Sequence, residues 1–205
     1  MELDIRKLKT YVISLKDSDH RSRISKMLDD LGFEDWEFFD AIKSTPHFSY
    51  IVGCSLAHRE CVSQAQFPCL VFEDDAAITE WYNPTIEIPD DSDLFYLGTS
   101  AWGLKTGEST LNGSDFEHVD GDIYRVRHMT SAHAIIYINK DNCSEMSYNS
   151  IRYMAETGKC YDESYGMQLG DYKGYCFEKP MFYQDCPRNA IFTQHPVTSV
   201  FRMKS

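Results

Sequence analysis

Four apolar residues, Cys69-Leu70-Val71-Phe72, run without a polar break and stop abruptly at three acids, Glu73-Asp74-Asp75. A short continuous apolar run rich in β-formers reads as a strand buried on both faces. Adjacent carboxylates repel one another, and burial sharpens the repulsion. Such a trio is tolerated at a strand end where a cation neutralises it. Mg²⁺ and Mn²⁺ take oxygen ligands and leave positions open for substrate phosphates. In open α/β sheets ligands sit beyond the carboxyl ends of the strands, where this trio falls. An acidic turn facing solvent is the other reading of the same residues, and Asp29-Asp30 and Asp90-Asp91 read that way.

The surrounding pattern fits an α/β sheet. Thr10 to Leu15 reads as a buried strand, and Ser18 or Asp19 can cap the helix that follows. Ile24, Met27, Leu28 and Leu31 recur at helical spacing, and Gly32 stops them. Trp36 to Phe39 gives a second strand. Strand, helix, strand is the unit that builds parallel sheets. Gly53 to Gln66 reads as a helix, 94–97 as a strand, Ile123 to Val126 and Ala132 to Ile138 as strands, and Lys140 to Thr157 as a helix. Gly174 to Phe177 is strand-like, and Asp162-Glu163 begins a further helix. The polar, Gly-rich stretch from Ala101 to Asp122 reads as a loop or flap. The expectation is a mostly parallel central sheet flanked by helices, with 1–205 as a single domain.

Composition narrows the partners. A net charge of -12 repels phosphate backbones and anionic lipid, so nucleic acid is disfavoured. No apolar stretch reaches the ~18 residues that a membrane span requires. The opening residues carry scattered charges and no apolar core, so they do not read as a secretory signal. The seven cysteines include no Cys-x-x-Cys pair and read as reduced thiols of a cytoplasmic chain, in the host cytoplasm if the source is viral. Cys54 and His58 lie one helical turn apart and suit a soft metal, but two ligands are too few to hold one.

Four segments resemble glycosyltransferase family 25, the family of lipopolysaccharide-type β-galactosyltransferases and collagen galactosyltransferase domains. They are Tyr11 to Leu15 followed by Asp19-His20-Arg21; Gly53-Cys54-Ser55-Leu56-Ala57-His58, with Ala57 where the family usually has Ser; Leu70 to Ala76 with its acidic trio; and Thr130 to Ala134. They occur in the family's order and span most of the chain. The resemblance implies a GT-A-type nucleotide-sugar-binding fold. It also implies inverting transfer of galactose or glucose from a UDP-sugar to a glycan or other hydroxyl acceptor, as in lipopolysaccharide biosynthesis.

The resemblance then assigns roles. Asp75 and Glu73 hold Mn²⁺ or Mg²⁺, and Asp74 touches the sugar or ribose. Asp162 is the candidate general base, with Glu163 behind it; both also suit the first turn of a helix, where acids complement the dipole. His195 either completes the metal shell or touches the diphosphate, or is an ordinary tail residue. His58 is a substrate-side residue or a packed core histidine. Arg21 pairs with phosphate or stacks on uracil, or is a plain exposed helix arginine. Arg127 or its strand neighbour Arg125 counters the diphosphate, or makes a structural ion pair. Ser14 and Leu15 line the nucleotide pocket through backbone groups. Two other classes fit part of this pattern: a metal-dependent phosphohydrolase and a catalytically inactive nucleotide-sugar-binding protein of the same fold.

Overall fold

The structure, a computed structural model, describes residues 1–45, 49–101, 113–186 and 190–199. A short strand β1 (Glu2–Asp4) and a 3-10 turn lead into β2 (Lys9–Ser14), α1 (His20–Leu31) and β3 (Trp36–Asp40). The α1 helix buries Ile24 and Leu28. It ends where Gly32, at φ 79°, turns left-handed and donates its N–H to the carbonyls of Leu28 and Asp29. Next come α2 (Tyr50–Gln64) and β4 (Cys69–Glu73), then β5 (Ala76–Ile78), β6 (Thr85–Glu87) and β7 (Leu94–Tyr96). A hairpin of β8 (Asp115–Asp120) and β9 (Ile123–His128) precedes β10 (Ala134–Tyr137). Then α3 (Lys140–Thr157) and α4 (Tyr161–Gln168) lead to β11 (Gly174–Phe177), β12 (Phe182–Gln184) and the short α5 (Ala190–Thr193).

The molecule is mixed α/β, built on an eight-stranded sheet of order β3-β2-β4-β10-β7-β11-β9-β8. This corrects the expected mostly parallel sheet. Only β3-β2-β4 and β7-β11 are parallel; the pairings β4-β10, β10-β7, β11-β9 and β9-β8 are antiparallel. The reason is connectivity. A parallel neighbour requires a crossover of about a dozen residues or more, usually a helix. The α1 and α2 helices supply crossovers for β2, β3 and β4. Among the described residues no helix follows β4 until α3, so the strands between them meet largely antiparallel.

The sheet is covered on both faces. On one side Val71, Tyr96, Ile135 and Tyr137 pack with Ala57 and Cys61 of α2, Met146 of α3 and Tyr165 of α4. On the other, Val12, Leu70, Phe72 and Ile136 pack with Ile24 and Leu28 of α1 and with Phe182. The alternation along β4 explains why its four apolar residues are all fully buried.

The flap expected from Ala101 to Asp122 divides. Residues 102–112 lie outside the described residues, whereas Asp115–Asp120 is a strand. Its residues are mostly exposed and polar because β8 is the sheet's edge, so no apolar alternation announces it. All seven cysteines carry free thiols. Among the described residues no helix is long and apolar enough to cross a membrane.

Candidate active site

Because β2, β3 and β4 are parallel, their carboxyl ends meet at one edge. The register sets Ser14 beside Asp40 and Ile13 beside Glu73. The Glu73 N–H still bonds the His133 carbonyl at 3.0 Å, so the first acid belongs to the sheet. Asp74 and Asp75 leave it. The Asp75 carbonyl then accepts from the Asp185 N–H at 2.8 Å, and β5 pairs with β12 so that Ala76 faces Gln184. All three acids are half-buried and line a cavity of about 400 Å³ together with Ser14, Leu15 and Ser18. They do not point into open solvent.

Each acid meets a different environment. His58 Nε2 donates to Glu73 Oε1 over 2.9 Å, and Gln184 Nε2 donates to Glu73 Oε2 over 3.2 Å. Burial works to raise the Glu73 pKa, but the His58 hydrogen bond and charge, then His133 and Gln184, outweigh it and hold it below its ordinary value. Asp74 Oδ2 accepts from the hydroxyls of Ser14 and Ser18, each at 2.6 Å. Asp75 Oδ1 is buried with no partner among the described residues. Burial first, then the charges of Glu73 and Asp74, push the Asp75 carboxyl up to about 7.

A second cavity of about 150 Å³ adjoins the first and shares Tyr50, Cys54, His58 and Glu73 with it. Asp162, in the first turn of α4, stands on its wall with Ser131 and Gln184. Its Oδ1 accepts from the Glu163 N–H at 2.9 Å. Burial, then the Glu73 charge, raise the Asp162 pKa to about 6.

The structure therefore gathers Ser14, Leu15, His58, Glu73, Asp74 and Asp75 around one cavity and Asp162 beside them in the next. It places the others elsewhere. Glu163 pairs with Lys159 at 3.4 Å and lines neither of these two cavities. Arg21 stands behind the wall formed by the end of β2, donating to the Ser14 carbonyl at 3.0 Å and to Asp40 Oδ1 at 2.7 Å, with its guanidinium 4.3 Å over the Phe38 ring. Arg127 of β9 pairs with Glu117 of β8, the cross-strand ion pair that is its alternative reading, and lines neither cavity. Its neighbour Arg125 is buried, bonding the Tyr172 carbonyl and lying over Tyr175. His195 is half-buried beyond α5 and lines neither cavity.

Gln184 escapes sequence reasoning, although it bonds Glu73 and its amide nitrogen lies 3.5 Å from Asp75 Oδ2. It lies more than a hundred residues from the acids, and only the β5–β12 pairing brings it near. The Cys54–His58 pair gains a third donor as well. The ligand atoms of Cys54, His58 and Glu73 all lie within 4.8 Å of one another. No protein-family model and no curated protein matches this chain.

Proposed function

We propose that the chain is an inverting, metal-dependent glycosyltransferase of GT-A type, similar to family 25, that transfers galactose or glucose from a UDP-sugar to a hydroxyl of a glycan or another acceptor. The observation that supports it most is the pair of adjoining cavities with Glu73 in their common wall. One is lined by the acidic trio and the end of β2, the other by an ionisable carboxylate, Asp162. Donor and acceptor need such neighbouring compartments.

Glu73 and Asp75 would hold Mn²⁺ or Mg²⁺. Their oxygen donors suit a hard cation, and Asp75 Oδ1 is a buried acceptor that nothing in the described chain satisfies. When bound, the ion neutralises charge that builds on the departing diphosphate. The remaining roles belong to side chains. Ser14 and Ser18 fix the Asp74 carboxylate through Oδ2, and Oδ1 would meet a donor hydroxyl. Gln184 holds Glu73 from the opposite side to His58. Asp162 takes the acceptor proton while the acceptor oxygen bonds the anomeric carbon, and UDP leaves with the electrons of the broken bond.

The test is transfer of labelled sugar from UDP-galactose and UDP-glucose to glycan acceptors with Mn²⁺ present. Asp75→Asn should lower turnover by about 100-fold or more, the scale expected when charge stabilisation in the transition state is lost. Unchanged turnover would sink the assignment. UDP binding without transfer would favour an inactive binding protein, and donor consumption by water alone a phosphohydrolase.

A further inference from the structure

We propose that Cys54, His58 and Glu73 form a binding site for a thiophilic divalent cation of the Zn²⁺ class, distinct in donor chemistry from the all-oxygen pair Glu73/Asp75 and competing with it for Glu73.

Cys54 and His58 stand at i and i+4 on α2, so both side chains leave the helix on one face. That face meets the end of β4, and there Glu73 supplies an oxygen. Sulfur, nitrogen and oxygen converge within 4.8 Å, the only such group of three among the described residues. The imidazole is fixed rather than mobile. His58 is fully buried and stacks on Tyr161, with ring centroids 4.6 Å apart and planes 21° from parallel. One ring nitrogen meets Glu73; the other is buried and has no partner among the described residues. A buried nitrogen left unpaired costs free energy, and Glu73 is the ring's one hydrogen-bond partner among the described residues. Cys54 lines both cavities, which gives an ion a route of entry.

Three protein donors of mixed S, N and O type, with a fourth position open to a cavity, is the arrangement of an accessible zinc site. Thiolate selects Zn²⁺ over Mg²⁺ and Mn²⁺, whereas carboxylates alone select the harder ions. On binding, the Cys54 S–H gives its proton to solvent and the sulfur bonds the ion. His58 Nε2 likewise gives up the proton it shares with Glu73, leaving a neutral imidazole protonated on Nδ1, and the His58–Glu73 hydrogen bond is replaced by one bond from each residue to the ion. Glu73 is then withdrawn from Asp75. Zn²⁺ is therefore an inhibitor that competes with Mn²⁺, a consequence that rests on the transferase reading while the binding itself does not.

The experiment titrates the full, reduced chain with Co²⁺ and then Zn²⁺. Co²⁺ bound through Cys54 gives a thiolate-to-metal charge-transfer absorption, and one equivalent of Zn²⁺ should abolish it. Cys54→Ser should remove the absorption and weaken Zn²⁺ binding by more than about 100-fold, since even partners outside the first coordination shell cost 10- to 100-fold. Cys54 is exposed, so this variant should fold, and circular dichroism verifies it. Asp75→Asn should keep the absorption. No charge-transfer band, or equal Zn²⁺ affinity in Cys54→Ser, overturns the site. In the activity arm, Zn²⁺ inhibition should be relieved by excess Mn²⁺ and weakened by Cys54→Ser. Zn²⁺ bound at Cys54 in a chain that transfers no sugar would leave the metal site standing and remove the transferase reading.

Discussion

At the scale of single residues, Asp162 is under opposing demands. Burial and the Glu73 charge disfavour its ionised form and raise its pKa to about 6. A general base works only when ionised, but a base with a pKa near the operating pH also accepts protons well. Turnover should therefore fall as pH drops through about 6, the acid limb belonging to Asp162. A profile of kcat against pH checks this, and Asp162→Asn should lower kcat by roughly 10²- to 10⁴-fold while UDP still binds. Stability runs the other way. A carboxyl whose pKa is higher folded than unfolded favours the fold while protonated, and that advantage is lost as pH rises from the ordinary Asp value through about 6. Above that, Asp162→Asn should unfold at a higher temperature than the parent chain. Glu163→Gln should change neither quantity much, because Glu163 only pairs with Lys159 at the surface.

At the scale of elements, the position of Glu73 depends on β7 and β12 as much as on β4. Ser131 donates its hydroxyl to His133 Nδ1 at 2.6 Å, and His133 Nε2 donates to the Phe182 carbonyl at 3.2 Å. The His133 carbonyl in turn receives the Glu73 N–H. Gly98, just beyond β7, packs against that ring so tightly that a Cβ would overlap it. Gly98→Ala should cost roughly 1–3 kcal/mol, the usual range for overpacking a filled interior, and chemical denaturation measures it. It should also lower transfer by displacing Glu73. None of this dependence is legible locally. The run Cys69 to Phe72 can be read because it is buried on both faces, so its residues are uniformly apolar. The Lys140–Thr157 helix reads as a helix from the sequence, and the structure adds its Asn139 cap, whose side chain accepts from the Asn142 N–H. By contrast β8 is a polar edge, and missing it concealed the Glu117 partner that claims Arg127. Gln184 sits on a three-residue strand whose partner lies far away in the sequence, and no local pattern encodes that pairing. The acids were visible as chemistry; what surrounds them is tertiary.

At the scale of the whole molecule, charge and fold combine in one measurable way. The chain carries a net charge of -12, and a UDP-sugar is itself an anion. Their mean-field interaction is repulsive, most strongly at low ionic strength. The cavity lined by Glu73, Asp74 and Asp75 adds three acids at close range. UDP alone should therefore bind weakly, and a divalent cation should be required to make the pair attractive. The sheet that presents this cavity has packed layers on both faces, so a ligand at its edge stabilises strands, α1 and α2 together. Saturation at 100 times the dissociation constant adds about 2.7 kcal/mol to the folded state. For a chain of this length that is a rise in Tm of roughly 5–11 °C. UDP with Mn²⁺ should produce such a rise, and either component alone a much smaller one. In Asp75→Asn the increment that needs both should vanish. If UDP alone gave the full shift, the acids would not be the place where the diphosphate and its cation meet.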